Sequence, residues 1–348
     1  MKIAFILPSL AAKAPIFITK CLSDYFIEQG NKVEVFYFDE IYGTEFNCNT
    51  TLIKMSTPID FDSFDIIHSH MMRPDRYIAK FSGQIKKART VSTVHCNIDD
   101  DLKWSYGKIV SAVYSKKWLN WLKHFDTTVQ INDYLMELYS KRLEHNHLIY
   151  NGVSISKYED DYTEIVEKIQ EFKKLGLVVL CSYSGIVERK GLHQILEVLK
   201  IRKDLSYICI GDGNQKKRLM KLAGKSGLDR RVYFSSFKKN PYNIMKYADV
   251  FMIPSYSEGF SLALLEAGSI GTSIVCSNIS AFNMPFSTTE VSFFKLNDIH
   301  SLSLAINEAL SKKELKKNAL KNKIEIEFSH KRMQEKYEAL YEKLIGNI

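Results

Sequence analysis

No apolar run in these 348 residues is long enough to span a membrane. The opening run "KIAFIL", followed by Pro8, is too short for a spanning helix or the core of a signal peptide and suits a strand that the proline stops. The expectation is a cytoplasmic protein, soluble or peripheral on the inner face of the membrane. The six cysteines (Cys21, Cys48, Cys96, Cys181, Cys209, Cys276) contain no CxxC pair, and several lie in apolar stretches such as "YICIG". This excludes a zinc ribbon and a disulfide framework and makes them small buried hydrophobes in a reducing compartment. GxxxxGK[ST] and GxGxxG are both missing, so neither familiar phosphate-binding fingerprint is available. There is no short-period repeat and no low-complexity segment.

What remains is globular in character. Hydrophobic residues make up 45% and charged residues 25% of the chain, values that exclude disordered and fibrous classes. The length supplies two domains of ordinary size. A net charge of +8 would suit nucleic acid, an anionic membrane surface or a phosphorylated ligand.

Short β-branched runs alternate with amphipathic segments of helical length. "KIAFIL", "KVEVFYF", "FDIIHSH", "RTVSTVH" and "DTTVQI" are expected strands, with helices near 15–29, 75–87, 107–124 and 133–142. A polar connection runs from Tyr150 to Leu177, after which "LVVLCSYSG", "LSYICIGDG", "RVYFSSF", "DVFMIPS" and "SIVCS" repeat the pattern. The fold class is therefore α/β, with two doubly wound, Rossmann-like domains whose ligands bind beyond the carboxyl ends of the strands, in the cleft between them. The expected division is 1–155 and 175–328, with a terminal helix over about 329–348 packing back on the first domain.

Loops after strands in the second half carry the chemistry. "YSGIVERKG" sets Arg189 beside Lys190, with Gly185 and Gly191 allowing close backbone approach. "PSYSEGFSLALLE" ends a strand at Pro254 and starts a helix near Ser261. Backbone N–H groups of Gly259, Phe260, Ser261 and Leu262 would form an anion site there. Glu258 and Glu266 bracket this apolar stretch, which needs neither acid for its packing.

The ordered series "YSGIVERKG", "IGDGNQKKRLMKLA", "RVYFSSF" and "YADVFMIPSYSEGFSLALLEAGSIGTSIVCS" resembles the donor domain of the family-4 nucleotide-sugar glycosyltransferases of the GT-B fold, with weaker matches in "FDIIHSH", "STVH" and "IYNGVSISKY". The resemblance implies a retaining, metal-independent enzyme without a cofactor, which moves a sugar from a nucleotide diphosphate, UDP rather than GDP, to a glycan or lipid-linked acceptor. It implies no nucleic acid partner, and by analogy it places the reaction in O-antigen or capsule assembly. It gives Glu258 the donor sugar hydroxyls, Glu266 the ribose, Arg189 and Lys190 the diphosphate, Phe237 the nucleotide side and His95 the donor sugar. His70 is assigned to the acceptor side and His68 to a structural role. The family's arginine soon after Gly185 is absent, Ile186 standing there, and "PSLAAKAP" replaces the usual glycines after the first strand. The run Asp99–Asp101 reads as a solvated loop or an acceptor contact. Rival readings are a GT-B epimerase, distinguished by product formed without acceptor, and a two-domain sugar-binding protein, disfavoured by the cation pair and the lack of an export signal.

All three tryptophans, Trp104, Trp118 and Trp121, fall within residues 103–124 among five lysines. That is the composition of an interfacial helix on an anionic membrane. The competing expectation makes Ile109, Val110, Val113 and Trp121 a core-facing stripe and leaves the lysines and Trp118 to the membrane.

Overall fold

The computed structural model describes residues 1–154, 162–238 and 241–346. The expected boundary at residue 155 and the last two residues of the tail lie outside them. The chain forms two compact units, one of Met1–Gly152 with Ser329–Ile348 and one of Val153–Phe328.

In the first unit the strands are β1 (Lys2–Leu10), β2 (Lys32–Tyr42), β3 (Asn49–Leu52), β4 (Ile66–His70), β5 (Arg89–Val94), β6 (Thr127–Gln130) and β7 (Asn146–Leu148). They pair in parallel in the order β3-β2-β1-β4-β5-β6-β7. The chain winds outward from β1 to β3 and then returns beside β1, so the order reverses between β1 and β4. Pro8 does not stop β1 as expected. The strand continues to Leu10, with Leu7 and Ser9 registered to β2 on either side of the proline and a register shift between Ser9 and Leu10. A proline that donates no hydrogen bond is tolerated beside such an irregularity.

Helix Ala14–Glu28 opens with Pro15 in its first turn and is followed by Gly30 at φ 78°, as proline and glycine at helix ends predict. Helix His330–Gly346 buries Met333, Tyr337, Leu340 and Tyr341, one stripe at helical spacing.

Two expectations in this unit are corrected. Asp99–Asp101 is not a loop: Asn97 caps helix Ile98–Tyr106 by accepting from the Asp99 and Asp100 amides, and the three acids fill its first turn, where the helix dipole favours them. The segment 103–124 is not one helix, because Gly107 at φ 86° separates Ile98–Tyr106 from Lys108–Leu122. The core-facing stripe of the second helix is Ser111, Ser115, Trp118 and Leu122. Ile109 and Val113, expected inside, are 84% and 49% exposed, whereas Trp118 is buried and its indole donates to Asp75 at 2.7 Å.

The second unit contains β8 (Val178–Tyr183), β9 (Leu205–Ile210), β10 (Val232–Ser235), β11 (Val250–Ile253), β12 (Ser273–Ser277) and β13 (Ser292–Phe294). Their parallel order is β10-β9-β8-β11-β12-β13, reversing between β8 and β11. Helix Thr163–Lys174, drawn from the polar connection, lies inside this unit and buries Ile165, Ile169 and Phe172. Helix His193–Ile201 packs Ile195, Leu196, Val198 and Leu199 into the core with Leu180 and Tyr207 of the sheet.

Candidate functional site

The carboxyl ends of β8 and β11, where the strand order reverses, are the expected ligand position in such a sheet. Two loops meet there. The one after β8 carries the short 3-10 turn Glu188–Lys190. The one after β11 leads through Glu258 to helix Leu262–Ser269, capped by Ser261, whose hydroxyl accepts from the Leu264 amide. Backbone bonds lock them together, the Tyr256 amide donating to the Arg189 carbonyl at 2.8 Å.

Gly191 makes that approach possible. It has φ 63°, and a Cβ there would lie 2.1 Å from the Pro254 carbonyl oxygen. Gly211 and Gly213 do the same for the turn after β9, where a Cβ would come within 2.0 Å of the Ser184 oxygen and 2.3 Å of the Ile186 oxygen respectively. Gly185, singled out from the sequence for close approach, has no such neighbour nearer than 4.0 Å.

The predicted residues Arg189, Lys190 and Glu258 form one cluster. Lys190 Nζ lies 2.5 Å from Glu258 Oε1, which also accepts from Ser255 Oγ at 2.7 Å. Arg189 lies 3.7 Å from Oε2 and donates to the Ser257 carbonyl at 2.8 Å. Glu258 is buried. Burial alone would raise its pKa, but the charges of Lys190 and Arg189 and the hydrogen bonds from Lys190 and Ser255 outweigh that and hold it below the ordinary carboxylate range. A pocket beside this cluster is lined by Tyr183, Ser184, Lys190, Ser255, Ser261 and Ala263. Lys190 and a helix N-terminus at this pocket can hold an anion, and Oε2, with Arg189 beyond hydrogen-bond range, keeps acceptor capacity for a hydroxyl.

Phe260 turns its side chain into the core, stacked on Phe286 and edge-on to Phe328, so its part in an anion site rests on its backbone. Leu262 begins the helix proper. Tyr183, which sequence reasoning did not select, connects the remaining predicted residues. Its ring lies 5.9 Å from that of Phe237, which is 46% exposed. Burial first, and the charge of Glu266 second, raise its pKa. Its position at the end of β8 was the available signal.

His95 belongs to the first unit, just beyond β5. Its Nε2 is 2.8 Å from His70 Nδ1, and the ring is set deep enough for burial to pull its pKa down to about 3. His70 Nε2 is buried and without a hydrogen-bond partner among the described residues. His68 has both nitrogens satisfied, Nδ1 by Tyr341 Oη at 2.6 Å and Nε2 by Thr93 Oγ1 at 2.8 Å. Burial depresses both His68 and His70 well below the usual imidazole range, reinforced by neighbouring histidines.

Residues 163–326 match the family described as glycosyl transferases group 1. The chain is 28% identical to the O-antigen biosynthesis glycosyltransferase WclY of Escherichia coli, with the whole of both chains covered. It is 27% identical to an Escherichia coli UDP-Gal:alpha-D-GlcNAc-diphosphoundecaprenol alpha-1,3-galactosyltransferase, covering 85% of this chain and 80% of the relative. Among solved structures it superposes on Alr3699/HepE of Anabaena, crystallised with UDP, at a TM-score of 0.81 and 15% identity over 99% of this chain and all of the other. At that identity the likeness is one of fold.

Proposed function

We propose that this chain, a glycosyltransferase, transfers a sugar with retention from a UDP-sugar to a hydroxyl of a glycan or lipid-linked glycan, in the assembly of a bacterial surface polysaccharide such as O-antigen or capsule. The reading rests on one observation: Lys190 and Arg189 flank a buried, charged Glu258 beside the pocket at the N-terminus of helix Leu262–Ser269. Relatives named for O-antigen biosynthesis and for transfer from UDP-Gal to a diphosphoundecaprenol-linked sugar support the acceptor class, and a structural neighbour solved with UDP supports the donor.

In this reading Lys190, Arg189 and the helix N-terminus stabilise the diphosphate as it leaves, the electrostatic contribution that usually dominates catalysis. They take the place of a divalent cation, so no metal is required. Glu258 Oε2 orients a hydroxyl of the donor sugar, Glu266 accepts from the ribose diol, and Phe237 lies on the nucleotide side. No described helix is long and apolar enough to cross a membrane, and the enzyme works at the cytoplasmic face.

The test is transfer from a panel of UDP- and GDP-sugars to a diphosphate-lipid acceptor, with the product's anomeric configuration read by NMR. Retention, preference for UDP and persistence in a chelator are expected. An inverted product, or activity abolished by EDTA and rescued by manganese, overturns the mechanism.

A further inference from the structure

Gln194, in the first turn of helix His193–Ile201, is 1% exposed, and every polar group of its side chain is used on backbone from three different loops. Its Nε2 donates to the Pro254 carbonyl at 3.0 Å and to the Gly191 carbonyl at 3.3 Å, and its Oε1 accepts from the Asn297 amide at 2.8 Å. The side-chain amide cannot be turned over, since its oxygen would then face two carbonyls. Gly191, Pro254 and Asn297 follow β8, β11 and β13, at one end of the sheet. Asn297 is held at φ 60°, an uncommon conformation for a residue other than glycine. Its Oδ1 accepts from Tyr256 Oη, which ties the third loop back to the second. Glycine at 191 also makes room for the glutamine, because a Cβ there would lie 2.7 Å from Gln194 Nε2.

We infer that Gln194 is a positioning residue for the site, one that sets Lys190 against Glu258. The two carbonyls it holds are each one residue from a donor to Glu258 Oε1. Gly191 follows Lys190, whose Nζ lies 2.5 Å from that oxygen, and Pro254 precedes Ser255, whose Oγ lies 2.7 Å from it. The backbone bond from Tyr256 to Arg189 holds the two loops together without Gln194, so loss of the glutamine shifts them against each other and does not part them. A displacement of about 1 Å in a catalytic arrangement can cost as much as a hundredfold in rate. A glutamine with a structural role alone would satisfy three buried backbone groups, and its removal would lower stability and leave the folded site unchanged. The inference rests on the diphosphate role proposed for Lys190.

The test is calorimetry of the full chain with UDP, together with the transfer assay, on Gln194→Met, Lys190→Ala and the double variant. Methionine fills a similar space without hydrogen bonds. Gln194→Met should weaken UDP at least about fivefold and lower kcat/KM at least about tenfold. In the Lys190→Ala background it should change either by less than about twofold, because residues that act as a unit are not additive. Leu205→Val, which removes a methylene from the core at the amino end of β9, opposite the site, should lower the denaturation midpoint and leave UDP affinity unchanged. That control separates lost stability from lost positioning. Should Gln194→Met not fold, Gln194→Asn, a methylene shorter and unable to span Pro254 and Asn297 together, is expected to show the same coupling. Independent losses that multiply in the double variant would overturn the inference. Wild-type UDP affinity in Lys190→Ala would remove the diphosphate role and the inference with it. Weakened binding in Lys190→Ala beside wild-type affinity and rate in Gln194→Met would defeat the inference alone.

Discussion

Lys190 and Arg189 keep Glu258 ionised where burial alone would neutralise it, and each group is costly without the others. Lys190→Ala should therefore lower kcat/KM by about 2–4 kcal/mol of transition-state stabilisation, as for loss of one preorganised donor. It should also lower stability, because it leaves a buried carboxylate with one hydroxyl donor, Ser255, and a distant arginine as its counter-charge. Glu258→Gln and Glu266→Gln should separate in calorimetry with UDP. Glu266→Gln is expected to weaken UDP itself, and Glu258→Gln to reduce turnover with a smaller change in affinity; identical UDP affinities would remove the division of labour. The residue types became legible through the ordered series of motifs, since two acids beside an apolar stretch, or a cation pair after a strand, are by themselves ordinary solvated charges. Their union was not, because sequence spacing does not say that residues 189 and 258 touch. Nor did it reveal Tyr183, whose strand-end position only the sheet order makes significant.

At the level of elements, the strands carrying the site were readable from their apolar periodicity, and the loops between them were readable only in part. Glycines in "YSGIVERKG" and "IGDGN" look alike in sequence, yet Gly191, Gly211 and Gly213 permit backbone contacts and Gly185 does not. Gly191→Ala should cost at least about 1–3 kcal/mol, because alanine must take a left-handed conformation and its Cβ collides with Pro254. Gly185→Ala should stay within roughly 0.5 kcal/mol. Denaturation midpoints of the two variants check this, and equal midpoints would mean that the loop contact is soft. The helix pair at 98–122 was misread for a related reason. Its apolar residues recur at helical spacing on more than one face, so periodicity alone could not decide which face the sheet covers.

For the whole molecule, the two units differ in how they bind protons. Seven of the nine histidines lie in the first unit, among them His68, His70 and His95, all with depressed pKa values. Above pH 6.5 these groups are neutral folded or unfolded and contribute no pH dependence. As pH falls below 6.5 the unfolded chain takes up protons that the folded unit refuses. Stability is then lost by up to about 1.4 kcal/mol per pH unit for each such group until its folded pKa is reached. Asp75 opposes this, since burial raises it to about 6: it contributes stability below its unfolded value of 3.8 and loses it as pH rises toward 6. One carboxyl against these three imidazoles, joined by His147 and His330, which burial also depresses, leaves acid destabilisation dominant. The second unit has only His193 and His300, and burial depresses the pKa of His193. All three tryptophans belong to the first unit, so their emission reports on it alone. In an acid titration the red shift of Trp118 should begin below pH 6.5 and precede the loss of far-UV circular dichroism, to which both units contribute. Replacing His68 by Gln, which keeps hydrogen-bonding groups near Tyr341 and Thr93 without an imidazole to protonate, should move the fluorescence transition to lower pH. Coincident transitions in the two signals, or an unmoved midpoint in that variant, would show that the buried histidines do not govern the acid stability of the first unit.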